Sequence, residues 1–314
     1  MKRLISIGVS IVILSIIYSK IDIQGLVIIF RDCDRVWMIA SLGMVIPITM
    51  LTAWRLQQLM PRHTHLGFAE GNRLILAASV LNMVLPSKMG DIAKAYFMRE
   101  RGHLSGSLSL SLVVFEKTCD MLSLLLWCIF GLFLYPAKDL FFGLMTVTVT
   151  LGFIVGLLIL GSQPLAQLFF RFLQKISSKG IREKVKNFQS SWLEMQEYFW
   201  VDKHQLVKIA ATSIFTWFLH LLQIWFFILA LKAWAPFWIN LALSPLAILA
   251  GLLPLTFAGI GTRDAALVFL YQPYFDPTTA AALGLLCTSR YFIPALAGLP
   301  FLGQYLSAVR NSSS

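Results

Sequence analysis

The sequence predicts an all-α integral membrane protein, with about six transmembrane helices and two re-entrant hairpins forming an inverted repeat. Three observations predict it. Apolar residues gather in runs long enough to cross a bilayer, two of those runs are broken by Pro and Gly, and charged residues lie inside others. Of 314 residues, 58% are hydrophobic and 13% charged, with a mean hydropathy of +0.75. A soluble domain of this length needs more polar surface to cover its core. Several runs instead reach the roughly 20 residues that cross about 30 Å of hydrocarbon.

The run Leu4–Ser19 follows Lys2-Arg3 as a signal peptide would, but no small-x-small cleavage site comes after it. It reads as a retained first helix. Residues 21–32 read as a short amphipathic helix at the interface. Further spans fall at 36–54, 107–134, 140–161, 205–232 and 279–308. Residues 163–204 form the longest polar stretch, carrying Arg171, Lys175, Lys179, Arg182, Lys184, Lys186 and Lys203. Aromatic and leucine residues at helical spacing there predict cytoplasmic amphipathic helices that lie on the membrane and grip anionic headgroups.

Two segments do not read as plain spans. Residues 67–101 break through Leu85-Pro86-Ser87-Lys88-Met89-Gly90-Asp91, and residues 238–274 break at Pro254 and again at Gly259 and Gly261. Such breaks free backbone groups and survive at membrane depth only inside protein or beside water. Both segments read as hairpins that enter and leave on one side, with Pro86, Gly90, Pro254, Gly259 and Gly261 shaping the turns.

Charge placement favours this topology. With the N-terminus cytoplasmic, only Lys20, Arg31, Arg35, Lys138 and Lys232 face outward, and Lys88, Lys117, Arg263 and Arg290 sit at membrane depth. The rest of the 26 Lys and Arg are cytoplasmic, as the positive-inside rule demands. Making both hairpins full spans would put the basic 163–204 segment outside. Both termini are then cytoplasmic, the membrane is the cell membrane, and residues 1–314 form one domain. The net charge of +11 reflects basic loops facing anionic lipid, so no nucleic-acid partner is expected.

Cys33, Cys119, Cys128 and Cys287 lack metal-type spacing, and the histidines are scattered apart from His63 and His65. There is no P-loop, nucleophile elbow or zinc signature. No catalytic residue, metal or cofactor is expected, and the chain does not read as an enzyme.

The chemistry lies in eight charges at membrane depth: Lys88, Lys117, Arg263 and Arg290 against Asp91, Glu116, Asp120 and Asp264. Their sum is zero, which points to pairing, because an isolated charge there costs at least about 2.5–3.5 kcal/mol. Glu116 and Asp120 share one helix face, and Lys117 can reach Asp120. These three either pin helices together or line a polar cavity that meets a headgroup or a coupling proton. Arg263 and Arg290 offer planar forks suited to phosphate. Arg263 would open a helix from about Asp264 to Tyr271, whose start favours an anion. Asp264 is the expected N-cap there, and Asp91 the expected cap after Gly90. Lys88 is a second phosphate contact, Arg55 reads as an interface anchor, and Trp217 and Trp225 read as packing or lipid-facing residues.

The stretch Asn82-x-x-Leu85-Pro86-x-x-x-Gly90-Asp91-x-x-Lys94-Ala95-Tyr96, the basic turn Arg99-Glu100-Arg101, and Phe115-Glu116-Lys117-x-x-Asp120 together resemble a known signature. It is that of the flippase-like transmembrane domain of lysylphosphatidylglycerol synthases and their stand-alone AglD-like and YbhN-like relatives. Pro254, Gly259-Ile260-Gly261-x-Arg263-Asp264-Ala265-Ala266 and Ser289-Arg290-Tyr291 resemble its second signature. This chain has Lys117 and Asp264 where the family usually has Arg and Glu. The resemblance implies a bundle with two re-entrant helices and a lipid-sized cavity, and implies no lysyl transfer. It implies membrane lipids as partners, either an anionic phospholipid or a polyprenyl-phosphate-linked sugar. The function expected is a lipid transporter or flippase. The alternatives are a non-transporting partner that presents lipid to a glycosyltransferase or synthase, or a membrane lipid transferase with Glu116 or Asp120 as base. A homo-oligomer is left open.

Overall fold

The computed structural model describes residues 23–60, 66–84, 90–102, 104–136, 139–252 and 261–311. The expected first span, Leu4–Ser19, and Pro86, Lys88, Pro254 and Gly259 lie outside the described residues. Among those described, every regular element is a helix. They run α1 (Ile23–Arg31), α2 (Arg35–Gly43), α3 (Val45–Leu59), α4 (Phe68–Val84), α5 (Gly90–Gly102), α6 (Gly106–Leu134), α7 (Leu140–Gly161), α8 (Gln163–Ile176), α9 (Lys179–Val201), α10 (Lys203–Ala230), α11 (Phe237–Leu252), α12 (Thr262–Tyr271) and α13 (Pro277–Asn311).

Among the described residues, five stretches are long and apolar enough to cross a membrane: Arg35–Leu59, formed by α2 and α3 with a break at Met44, then α6, α7, α10 and Pro277–Gly303 of α13. Helices suit that setting because they satisfy their backbone groups internally. Their starts are capped by side chains: Asp34 accepts from Val36 N–H at 2.9 Å, Asp139 from Phe142 N–H at 2.9 Å, and Asp202 from Gln205 N–H at 3.1 Å. The hydroxyls of Thr49, Thr52, Ser79, Thr118 and Ser123 inside the helices donate to carbonyls of their own helix. α7 leaves Leu144, Val147, Leu151, Ile154 and Leu158 exposed, the surface of a helix meant for lipid.

The segments expected as hairpins consist of shorter helices. α4 and α5 pack together closely at Gly90, where a methyl group would run into the backbone of Ala78 and Asn82. α11 and α12 are joined by the Tyr271 hydroxyl, which donates to Asn240 Oδ1 at 3.2 Å and lies 2.9 Å from Ser244 Oγ. α4 packs on α13 and α11 on α6. At each of these crossings a glycine lets backbones touch: Gly298 of α13 against Leu76, and Gly131 of α6 against Leu241 and Ala242. Arg73 stands over the Phe301 ring while Leu76 meets Gly298, so α4 and α13 run antiparallel.

The 163–204 segment is more than a surface layer. α9 packs on α6, burying Trp192, Met195 and Phe199, with Phe199 stacked on Phe115 at 4.0 Å and Ser111 donating to the Ser191 carbonyl. Only part of its apolar complement, including Leu168, Phe172 and Ile176, faces outward.

Candidate functional site

The ionisable groups resolve into two clusters. In the first, six charges form a chain of alternating sign. Lys94 of α5 pairs with Glu116 Oε2, and Glu116 Oε1 accepts from Arg55 Nη2 at 2.8 Å. Arg55 Nη1 donates to Asp120 Oδ1 at 2.5 Å, and Lys117 Nζ lies 3.7 Å from Asp120 Oδ2 and 3.0 Å from Asp91 Oδ2. Asp91 is on α5, one turn before Lys94, so the backbone of α5, rather than an ion pair, links the two ends into a ring. Ser213 accepts from Arg55 at 3.0 Å, and Trp217 Nε1–H donates to Asp120 at 3.3 Å. The ring ties α3, α5, α6 and α10 together. Its formal charge is zero, and the geometry favours the pairing reading for Glu116, Lys117 and Asp120.

The ring has a dry side and an open side. Arg55, Lys94 and Glu116 are buried, whereas the Lys117 side chain is 45% exposed. Arg55 is a correction. The apolar pattern ends this span at residue 54 and makes Arg55 an interface anchor, but α3 continues to Leu59 and places Arg55, 2% exposed, at the centre of the ring. Lys94 also went without a role. The missing signal was their joint charge, two cations to match Glu116 and Asp120. Trp217 is likewise more than packing.

The second cluster lies where α12 meets α13. Gly261 adopts φ 104°, a conformation that favours glycine, and caps α12. Asp264 is therefore the third helical residue and not the N-cap. Its Oδ2 accepts from the Gly261 N–H at 3.0 Å, and its Oδ1 from Arg263 Nη2 at 2.7 Å. Arg263 also donates to the Gly284 carbonyl at 3.1 Å and to Thr288. Arg263 is thus spoken for.

Arg290 is not. It is 5% exposed, and its Nη2 donates to the Tyr291 hydroxyl at 2.9 Å while its guanidinium stands over that ring. Its Nε and Nη1 are buried and have no acceptor among the described residues. The antiparallel register puts Arg290 level with Val84, the last residue of α4, both about 12 Å along their axes from the Leu76–Gly298 crossing. Of the predicted site residues, the structure brings Asp91, Glu116, Lys117 and Asp120 into one ring, joins Arg263 to Asp264, and leaves Arg290 without an acidic partner among the described residues.

The arrangement can hold an anion at one buried cation. No group of three or more His, Cys, Asp or Glu suited to a metal occurs among the described residues. No curated protein matches the chain significantly. The family model described as the lysylphosphatidylglycerol synthase TM region matches residues 3–298. The chain belongs to the lysylphosphatidylglycerol synthase transmembrane-region family.

Proposed function

We propose that the chain is a multi-pass lipid transporter of the cell membrane, a flippase rather than an enzyme, with both termini cytoplasmic. It moves an anionic phospholipid or a lipid-linked saccharide, and Arg290 holds the lipid phosphate partway across. The observation that carries this reading is the buried Arg290 guanidinium, whose Nε and Nη1 lack acceptors among the described residues. An unpaired charge at membrane depth costs at least about 2.5–3.5 kcal/mol, and an anionic ligand offsets that cost. Arginine suits phosphate because its planar donors match phosphate oxygens.

We read the bundle as an inverted repeat, an arrangement that suits transport. Pairing α3, α4, α5 and α6 with α10, α11, α12 and α13 exchanges the α4–α13 crossing with the α11–α6 crossing, and each is built on one glycine. The short helix pairs α4–α5 and α11–α12 fit re-entrant hairpins that open in turn to either side. The six-charge ring, neutral and fixed, is the frame for the first hairpin. Arg263 is a positioning residue that fixes the start of α12.

Vesicles containing the protein and acyl-labelled phosphatidylglycerol test the proposal. Added reductant bleaches label only in the outer leaflet, so transport appears as bleaching beyond half. Protein-containing vesicles should bleach further than protein-free ones, and Arg290→Ala should return them to background. Wild-type transport by Arg290→Ala refutes the headgroup assignment.

A further inference from the structure

We infer that α8 is a docking face for the anionic leaflet of the membrane on its own side, cytoplasmic in the orientation proposed above. The lipid bound there is not the one transported, and its net negative charge, whatever its headgroup, holds the α8–α9 hairpin in place. This goes beyond the transport reading and does not depend on it.

α7 has 22 residues, about 33 Å of helix, so it crosses roughly 30 Å of hydrocarbon and ends at the membrane surface. Ser162, extended at φ −133°, terminates it, and Pro164 lies in the first turn of α8. Carbonyls in the last turn of α7 are taken by α9, whose Gln196 Nε2 donates to Ile159 at 2.9 Å and to Leu160 at 2.8 Å. α8 and α9 close on each other, with Gln174 donating to Gln189 at 2.7 Å and Phe170 packed on Phe188 and Trp192. The hairpin is thus pinned to the surface end of α7.

α8 has a second apolar face. Ala166 and Phe170 are buried, but Leu168, Phe172 and Ile176, on the next turns of one stripe, are 64, 60 and 65% exposed. Arg171 and Lys175, exposed and one turn apart, run along one edge of that face, and α8 contains no acid. An apolar face at headgroup level with cations at its rim is the form of an interfacial helix. Anionic lipid supplies both the apolar bed and the counter-charge. A second copy of α8 across a two-fold axis would instead set these cations against each other. The hairpin also carries Phe199, stacked on Phe115 beside Glu116, so lipid bound at α8 stabilises the part of the bundle that holds the ring.

The test places the full chain in nanodiscs of phosphatidylcholine with or without phosphatidylserine. For spin labelling Cys33→Ser is added, the other cysteines being buried. A nitroxide at Phe172→Cys should collide more with dissolved oxygen than with a water-soluble nickel chelate, and one at Lys184→Cys the reverse. Phosphatidylserine should raise the thermal unfolding midpoint of wild type by several degrees. Arg290→Ala should keep that rise, and Arg171→Gln/Lys175→Gln should lose it. A label at 172 open to nickel overturns the inference, because the face is then bare to water. So does a label shielded from both reagents, which makes a second copy or another protein the cover. No rise in wild type, or a rise kept by the double variant, also overturns it, and a rise lost only in Arg290→Ala assigns the lipid effect to Arg290. Neither measurement reads transport, so failure of the transport reading leaves this inference standing.

Discussion

Replacing Arg55 with Met separates a structural cation from a ligand-binding one. Arg55 is buried and gives up two short contacts, 2.8 Å to Glu116 and 2.5 Å to Asp120. The variant leaves Asp91, Glu116 and Asp120 facing only Lys94 and Lys117. Removing one partner of a buried ion pair costs about 3–5 kcal/mol, a large part of the roughly 5–15 kcal/mol that holds a typical fold. The double variant Arg55→Met/Asp120→Asn restores neutrality and should regain about 2 kcal/mol of the loss. Arg290→Met removes no ion pair and relieves an uncompensated charge, so its stability should equal or exceed wild type. Unfolding by a denaturing detergent in mixed micelles, followed by tryptophan fluorescence, measures all three. A loss under about 1 kcal/mol for Arg55→Met, the scale of a surface pair, refutes the buried-ring account. So does further destabilisation on adding Asp120→Asn.

Four other variants probe the frame. Gly131→Ala drives a methyl into the Leu241 backbone and should cost about 1–3 kcal/mol in the same unfolding assay, whereas Gly152→Ala, with nothing within 4 Å, should not destabilise. Trp217→Phe deletes the Nε1–H donated to Asp120 and should cost about 1.5–3 kcal/mol, less once Asp120 is already Asn. At Asp276, burial tends to raise the carboxyl pKa, but donations from Thr279 and from the Thr278 N–H outweigh it and hold it below the usual value. A depressed folded-state pKa contributes stability above the unfolded value, near pH 3.9, that is lost as pH falls through the folded one. Asp276→Asn should keep its helix cap at pH 7 and flatten the acid-side loss of stability, read from unfolding midpoints between pH 6 and pH 3.

Much of the frame was legible because hydrocarbon imposes simple rules. The spans at 140–161 and 107–134 meet α7 and α6 almost residue for residue, since an uninterrupted apolar run has one solution in a bilayer. Asp91, Glu116, Lys117 and Asp120 were legible as charges that must pair. Helix spacing also gave the Lys117–Asp120 pair, but the partners on other elements were not legible, because pairing across elements depends on register. Arg55 lies 61 residues before Glu116 in sequence, and only the packing of α3 on the rest of the bundle joins them. Hydropathy also ended that span too early: a buried, neutralised arginine looks polar in a sequence and is apolar in effect. At 163–204 the pattern showed an amphipathic face but not its cover, and part of that face turned out to pack on α6. Asp264 was misplaced by three positions because the positive φ of Gly261 starts α12 earlier than the charged pair suggests.

The most direct test of Arg290 as a phosphate ligand is mass spectrometry of the lipids that copurify with the detergent-solubilised protein, wild type against Arg290→Ala. The account predicts that one anionic lipid is enriched over its membrane abundance in wild type and falls to that abundance in the variant. Bulk-membrane composition in both samples would contradict it and leave Arg290 as a buried charge without a ligand.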